Sequence, residues 1–342
     1  MCTCLNRGFL MKTILTLFVF LGFSLGVSAS DLFEDKQTLE VELSGPLNSL
    51  IHHMEEELEY PFVLKTEGLD YKIKMRARGN SRKEVCVFPP VRLEFEDNLP
   101  EQSLFFGQDD LKLVTHCHKS DKAQANTLKE YAAYKFFLLI SEAAFRVRLL
   151  QINYVDTDGK RDTRRYGYLI ESWGELAGRI GGEKARLSGI SQKMLNDQQE
   201  ALVYVFQYLI GNTDWSMVTS IGNDECCHNG KLVEKNQELL YVPYDFDLSG
   251  LVNANYAHPD GSLRISRVTQ RLYRGFCLDP EILSGAIQTI RSHQSDFSKI
   301  IDNLPVLSKR EKKKTNRFLE RFFDEAENGE KMLKKFEQRC LD

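Results

Sequence analysis

The chain carries no surplus of positive charge. Its 45 Lys and Arg are outnumbered by 49 Asp and Glu, a formal net charge of -4 at pH 7, which argues against nucleic acid or an anionic lipid surface as the main partner. Within the chain there is no internal repeat, no long low-complexity tract and no second hydrophobic span after the one near its start. Repeat arrays and multi-span helical membrane architectures are therefore excluded. Cys-x-x-Cys spacing is missing, and no His-rich ligand set accompanies the carboxylates, which leaves little from which to build a zinc centre.

The one apolar run is informative. Met11-Lys12 gives a charged start, residues 13–27 carry no charge, and Val27-Ser28-Ala29 is a small-x-small cleavage pattern. Together they read as a secretory signal peptide over residues 1–29, with residues 1–10 an upstream start-site extension. An uncleaved anchor is the alternative, but the run is shorter than the roughly 20 apolar residues a bilayer span needs. The expectation is a secreted or periplasmic protein without a stable transmembrane segment after cleavage. Loss of the leader removes Arg7 and Lys12 and no acid, so the remainder is more negative still.

Cysteine usage fits export. Cys2 and Cys4 leave with the leader, and Cys86, Cys117, Cys226, Cys227, Cys277 and Cys340 remain, an even number in a compartment that permits disulfides. Their pairing is open. Cys226-Cys227-His228 has a second reading as metal ligands, although adjacent residues do not easily point two thiolates at one ion. His116 and His118 flank Cys117 and read as core or surface histidines, since no second ligand set lies nearby in sequence.

The pattern of elements gives an α+β protein. Residues 38–43, 71–78 and 91–95 alternate apolar and charged side chains, the signature of half-buried strands. Opposite-sign outer faces suit antiparallel neighbours. Arg78 is set apart because Gly79-Asn80-Ser81 follows it, a turn that exposes backbone N–H groups beside a guanidinium and suits a phosphate. Residues 126–141 have helical spacing with Asn126 as a plausible cap. Residues 146–157 and 166–171 read as a strand pair joined by an Asp158-Gly159 turn. Asp197-x-x-Glu200 starts a helix that Gly211-Asn212 stops, so Asp214 falls on a loop. Residues 239–242 form a short buried strand delivering Asp245. Asp279-Pro280 and Ser308-x-x-Glu311 start later helices, the last carrying Phe318, Leu319, Phe322 and Phe323 inward. Its basic start, residues 309–314, is a charged helix surface rather than a nucleic-acid arm.

Chemistry concentrates in one window: Gly211-Asn212-Thr213-Asp214, then Cys226-Cys227-His228-Asn229, then Tyr244-Asp245-Phe246-Asp247. A carboxylate followed by an amide and an Asp-x-Asp is the order of a phosphoryl-transfer site, the first orienting a nucleophile and the others holding Mg²⁺. Asp214 also suits a turn cap. Asp245 and Asp247 share a strand face and repel unless a cation or an Arg lies between them, and a cation is the favoured reading.

With these residues in place, the chain resembles the atypical kinases related to the spore-coat protein CotH. The matching features are Arg78-Gly79-Asn80-Ser81, the helix over residues 126–137, Gly167-Tyr168-Leu169-Ile170-Glu171, Gly211-Asn212-Thr213-Asp214, Asn229 and Pro243-Tyr244-Asp245-Phe246-Asp247. The resemblance spans about residues 71–252 and is more specific in its second half. An exported branch of that family shares the Cys-Cys-His-Asn step and a Ser-Gly-Leu-Val-Asn run such as residues 249–253. The resemblance implies a bilobal protein-kinase-like fold with ATP and Mg²⁺ between its lobes and transfer to a protein or small-molecule hydroxyl. On it, Asp214 orients or deprotonates the acceptor, Asn229 and Asp245 hold metal, and Asp247 supports a second metal or the loop. Lys112 or Arg92, with Arg78, meets the nucleotide phosphates, and Glu130 is the partner on the facing helix.

Two departures bear on that transfer. Where the family has a Lys-rich strand after the Arg-Gly-Asn-Ser turn, residues 86–92 read Cys-Val-Phe-Pro-Pro-Val-Arg, leaving the phosphate-binding cation open. Asp214 and Asn229 are also farther apart than the roughly five positions of a conventional kinase loop. Either a disulfide at Cys226 and Cys227 restores Asn229, or Asn223 is the ligand.

The expected organisation is a signal peptide over 1–29, a strand-rich N-terminal lobe over 30–115, a helical C-terminal lobe over 116–305 with the nucleotide site, and a helical extension over 306–342. A catalytically inactive kinase-fold binding module using the Arg264, Arg267, Arg271 and Arg274 surface is the alternative. A metal-dependent hydrolase on the same carboxylates is weaker for want of histidine ligands.

Overall fold

A computed structural model describes Met1 and residues 32–34, 37–79, 81–96, 99–218 and 226–341. Residues 2–29 of the expected signal peptide, Asn80 and Asn223 lie outside the described residues.

Seven strands form a closed barrel: β1 (Leu39–Gly45), β2 (Tyr60–Thr66), β3 (Leu69–Ala77), β4 (Val91–Phe95), β5 (Asp110–Val114), β6 (Val147–Asp156) and β7 (Thr163–Ile170), in the order β1-β2-β3-β4-β5-β7-β6. All neighbours are antiparallel except the closing pair, where β1 runs parallel to β6 with Leu39 opposite Leu150. The alternation in the sequence sets the register. Val41, Leu64, Ile73, Leu93 and Leu113 point into the barrel, while Lys74 and Glu94 face each other outside at 3.7 Å.

The barrel does not end at Thr115, because β6 and β7 complete it from beyond the expected boundary. Over residues 147–150 of β6 and 167–170 of β7 every residue is buried, because these stretches serve two cores. Leu150, Ile152, Tyr154 and Leu169 line the barrel, and the alternate residues Val147, Leu149, Tyr168 and Ile170 pack into the helical part.

Between these strands lie α1 (Leu47–His52), α2 (Ser81–Val85) and α3 (Asp121–Ile140). Helix α3 starts five residues before the expected point. Its cap is Ser120, whose side chain accepts the Ala123 N–H, and Asn126 is interior. After the barrel come α4 (Trp173–Arg179), β8 (Glu183–Ala185), α5 (Asp197–Ile210), β9 (Gly230–Lys235) and β10 (Glu238–Pro243). Helix α5 is capped by Asn196, one residue before the expected Asp197, through the Gln199 N–H. Strands β8 to β10 form a small antiparallel sheet with β9 in the middle. Helices α6 (Pro280–Ser292), α7 (Gln294–Asn303), α8 (Lys309–Ala326) and α9 (Gly329–Glu337) close the second core, with Phe318, Leu319, Phe322 and Phe323 buried.

Among the described residues no helix is long and apolar enough to cross a membrane. The six cysteines pair as Cys86–Cys117, Cys226–Cys227 and Cys277–Cys340. His116 is buried against Phe88 and Tyr154, and burial pushes its imidazole down to about 3. It is a neutral core histidine, as its isolation in the sequence suggests.

Candidate functional site

A cavity of about 470 Å³ lies where the outer face of β4, β5 and β7 meets α3, α4 and the small sheet. Even-numbered residues of β4 and β5 point out of the barrel, so Arg92 and Lys112, partners in register, both reach its wall. Arg78 stands at the end of β3, where its N–H donates to the Pro90 carbonyl at 2.9 Å, and Gly79 at φ +90° turns the chain away. The other basic residues lining the cavity are Arg82, Lys184, Arg186 and Lys231.

These cations differ in what holds them. Arg92 is paired with Asp110 through Nε at 2.8 Å and Nη2 at 2.7 Å. Arg78 makes no side-chain hydrogen bond or ion pair among the described residues, and its Nε is buried without a partner. Burial lowers its pKa, against the pull of Asp245. Lys112 lies 5.4 Å from the Tyr244 ring centre, and burial, then Arg78 and Lys231, bring its ammonium down to about 8. A guanidinium with a buried unpartnered donor, next to an ammonium whose charge burial disfavours, is a pair that an anion would stabilise.

Asp245 faces this group. It sits just past β10 at φ +61°, and its N–H donates to the Tyr134 hydroxyl of α3 at 2.9 Å. Its side chain is 45% exposed, opening into the cavity, yet protein surrounds it closely enough that burial, then Asp247, raises its pKa, with Arg82 and Arg78 opposing.

Between Asp245 and Asp247 lies an arginine. Arg82, on the short helix α2, donates from Nε to Asp247 at 2.9 Å and from Nη2 to Glu130 at 2.7 Å, with Asp245 Oδ1 at 3.6 Å. Asp247 also accepts from the Tyr256 hydroxyl at 3.0 Å and does not line the cavity. Glu130 is thus the partner of Arg82, not of Lys112 or Arg92. The reason is reach: the Cys86–Cys117 disulfide ties the end of α2 beside the start of α3, so a guanidinium fork arrives where three carboxylates converge. One guanidinium among three carboxylates leaves negative charge in surplus, and burial lifts Glu130 above the ordinary carboxylate range. Sequence reasoning missed Arg82, since Ser81-Arg82-Lys83-Glu84 looks like a solvated turn; the disulfide was the signal that could have exposed it.

Beside Asp245 lies a second cluster. Gly211 stops α5 in the left-handed region, and Asn212 Oδ1 accepts the Asp214 N–H at 3.1 Å. The Asp214 carboxylate meets His228 Nε2 at 2.8 Å through one oxygen and the Asn229 amide at 2.8 Å through the other. Asn229 also donates to the Asp214 carbonyl, and its own carbonyl accepts the Tyr244 N–H at 3.0 Å. Asp214 is close enough to add to the rise in the Asp245 pKa. Positions 214, 229 and 245 therefore come together, with Asp214 and Asn229 outside the cavity lining. His228, raised in pKa by its bond to Asp214, entered the sequence reading only through the weaker metal-ligand alternative for Cys226-Cys227-His228. Arg274 donates to the Thr213 carbonyl, and Arg271 to the carbonyls of Leu209 and Phe318. Half of the anticipated arginine surface is thus structural.

Among the described residues no three His, Cys, Asp or Glu side chains are arranged to hold a metal on their own. Asp245, a carboxylate that opens into the cavity, would suit a Mg²⁺ that arrives with a phosphate ligand, since that ion needs only one or two protein carboxylates.

No protein-family model matches the chain, and no curated protein matches it. Among solved structures, the chain is similar to a proinflammatory kinase of Helicobacter pylori, CtkA, with a TM-score of 0.36 and 12% identity, covering 73% of this chain and 90% of that one. At that distance any functional reading rests on the cleft's own residues.

Proposed function

We propose that the cavity binds a nucleoside triphosphate with Mg²⁺ and that the protein is an exported, kinase-like phosphotransferase acting on a protein or small-molecule hydroxyl. The observation that carries this reading is Arg78, which makes no side-chain hydrogen bond or ion pair among the described residues, beside the buried Lys112, with the Asp245 carboxylate opening into the same cavity of about 470 Å³. In this reading the barrel with α3 is one lobe and the remaining helices with the small sheet are the other. The disulfides support an oxidising compartment.

Arg78 and Lys112 would bind the phosphates, and Asp245 would hold the metal. The chemistry supplied by the ion held at Asp245 would be positive charge against the phosphates. Asp214, its two oxygens fixed by His228 and Asn229, would orient the acceptor hydroxyl and take its proton.

A thermal-shift scan of the purified protein tests the reading. Mg-ATP at about a hundred times its dissociation constant should add roughly 2.7 kcal/mol of stability, and Asp245→Asn should lose the Mg²⁺-dependent part while melting normally without ligand. An unchanged transition in the native protein would reject it. A second reading, a non-catalytic binding module, is favoured by one observation: Arg82 already engages Asp247 and Glu130. It predicts no nucleotide binding, and tight ATP affinity of the purified protein would count against it.

A further inference from the structure

The far end of the cavity is basic as well. Lys184 lies opposite Val233 in the β8–β9 register, and Lys231 is two residues before Val233, so both lysines point to the same face of the small sheet. Trp173 covers that face, its indole N–H donating to the Leu232 carbonyl at 3.1 Å. Lys231 Nζ is 5.0 Å from its ring centre, Arg186 Cζ 5.2 Å and Lys184 Nζ 5.9 Å.

Glu171 and Glu175, the carboxylates on either side of Trp173 in the chain, are engaged elsewhere. Glu171 is held by Arg146 at 2.9 Å and Arg179 at 2.8 Å. Glu175 accepts the Ser172 N–H at 3.0 Å and the Gln108 amide. Neither Lys184 nor Lys231 has a carboxylate partner among the described residues, and the aromatic ring offsets only part of their mutual repulsion. The groups that act most on Asp245 are Asp247, Arg82, Arg78 and Asp214, so the Trp173 cations form a separate set. Lys112, which feels both Arg78 and Lys231, links the two.

A nucleobase at this end would gain from the Trp173 ring but would leave the lysine charges uncompensated. From this geometry we infer that the Trp173 end is a second anion subsite, and that the cleft takes a linear polyphosphate, negative along its whole length. The inference rests on the cavity being a phosphate site and goes beyond the nucleotide reading by naming a different ligand class.

Isothermal titration of the full chain with linear hexaphosphate, tripolyphosphate and Mg-ATP tests it. Hexaphosphate should bind at least about tenfold tighter than tripolyphosphate, beyond the gain from extra phosphates alone. The double variant Lys184→Gln, Lys231→Gln should reduce hexaphosphate to the tripolyphosphate level. Lys313→Gln with Lys314→Gln, on the exposed face of α8, should leave the preference intact. Equal affinities for the two polyphosphates, or equal losses in both double variants, overturn the subsite. Hexaphosphate binding that depends on Lys184 and Lys231 without Mg-ATP binding upholds the subsite and rejects the nucleotide reading. Tight Mg-ATP binding with no hexaphosphate preference does the reverse.

Discussion

Arg82 joins two parts of the chain that are remote in sequence, and its removal should be felt beyond the cleft. Truncating it leaves Glu130 and Asp247 buried with no counter-charge, and breaking a buried ion pair in this way costs about 3–5 kcal/mol. Arg82→Leu should therefore lower the unfolding free energy by that amount in a urea titration. Arg82→Lys should recover only part of it, since an ammonium cannot bridge two carboxylates as a fork does. Lys112 gives a second expectation, read against pH. Its folded pKa of about 8 lies below the ordinary 10.5, so between those values the unfolded chain binds the extra proton and stability rises with pH. Anion binding runs the other way, because it needs the charged form. Affinity for Mg-ATP should fall above pH 8, by at most about tenfold per unit, and Lys112→Arg should flatten that slope in a titration series.

At the scale of elements, Gly211 controls where the Asp214 loop begins. Its φ of +65° is strained for any residue with a side chain, and a Cβ there would lie 3.2 Å from Phe318 Cζ and 3.4 Å from the Val268 carbonyl. Gly211→Ala should cost about 1–2 kcal/mol and speed amide exchange at Asp214 and Trp215. This stop was legible in the sequence, because glycine at a helix end has a local cause. So was the delivery of Asp245 by β10. The start of α3 was not legible: the helix is buried nearly all round, with Ala123, Leu128, Ala132, Tyr134 and Phe137 all inside, and so carries no single apolar stripe to mark its extent. The Arg82 network was hidden for a different reason. Its partners are 48 and 165 residues away, and nothing local distinguishes a buried guanidinium from a solvated one.

For the molecule as a whole, the end of the chain is fastened to the start of α6. The Cys277–Cys340 disulfide closes a separation of 63 residues, and backbone bonds from Cys277 to Leu341 at 3.0 Å and from Leu341 to Gly275 at 2.9 Å run beside it. Replacing both cysteines by serine should lower stability by about 2–5 kcal/mol, measured by denaturant unfolding of the oxidised protein. The same backbone segment includes Arg274, whose contacts to the Asp214 loop would loosen with it.

The barrel closes where β1 lies parallel to β6, with Leu39 beside Leu150. A seam of this kind cannot be stitched locally: β1 has no lateral neighbour on that side until more than a hundred later residues are present in the same compartment. Were the polypeptide threaded through a pore from its amino end, the first strand would reach the far side bare-edged and wait there, an opening for chaperones to guard and for sister molecules to exploit.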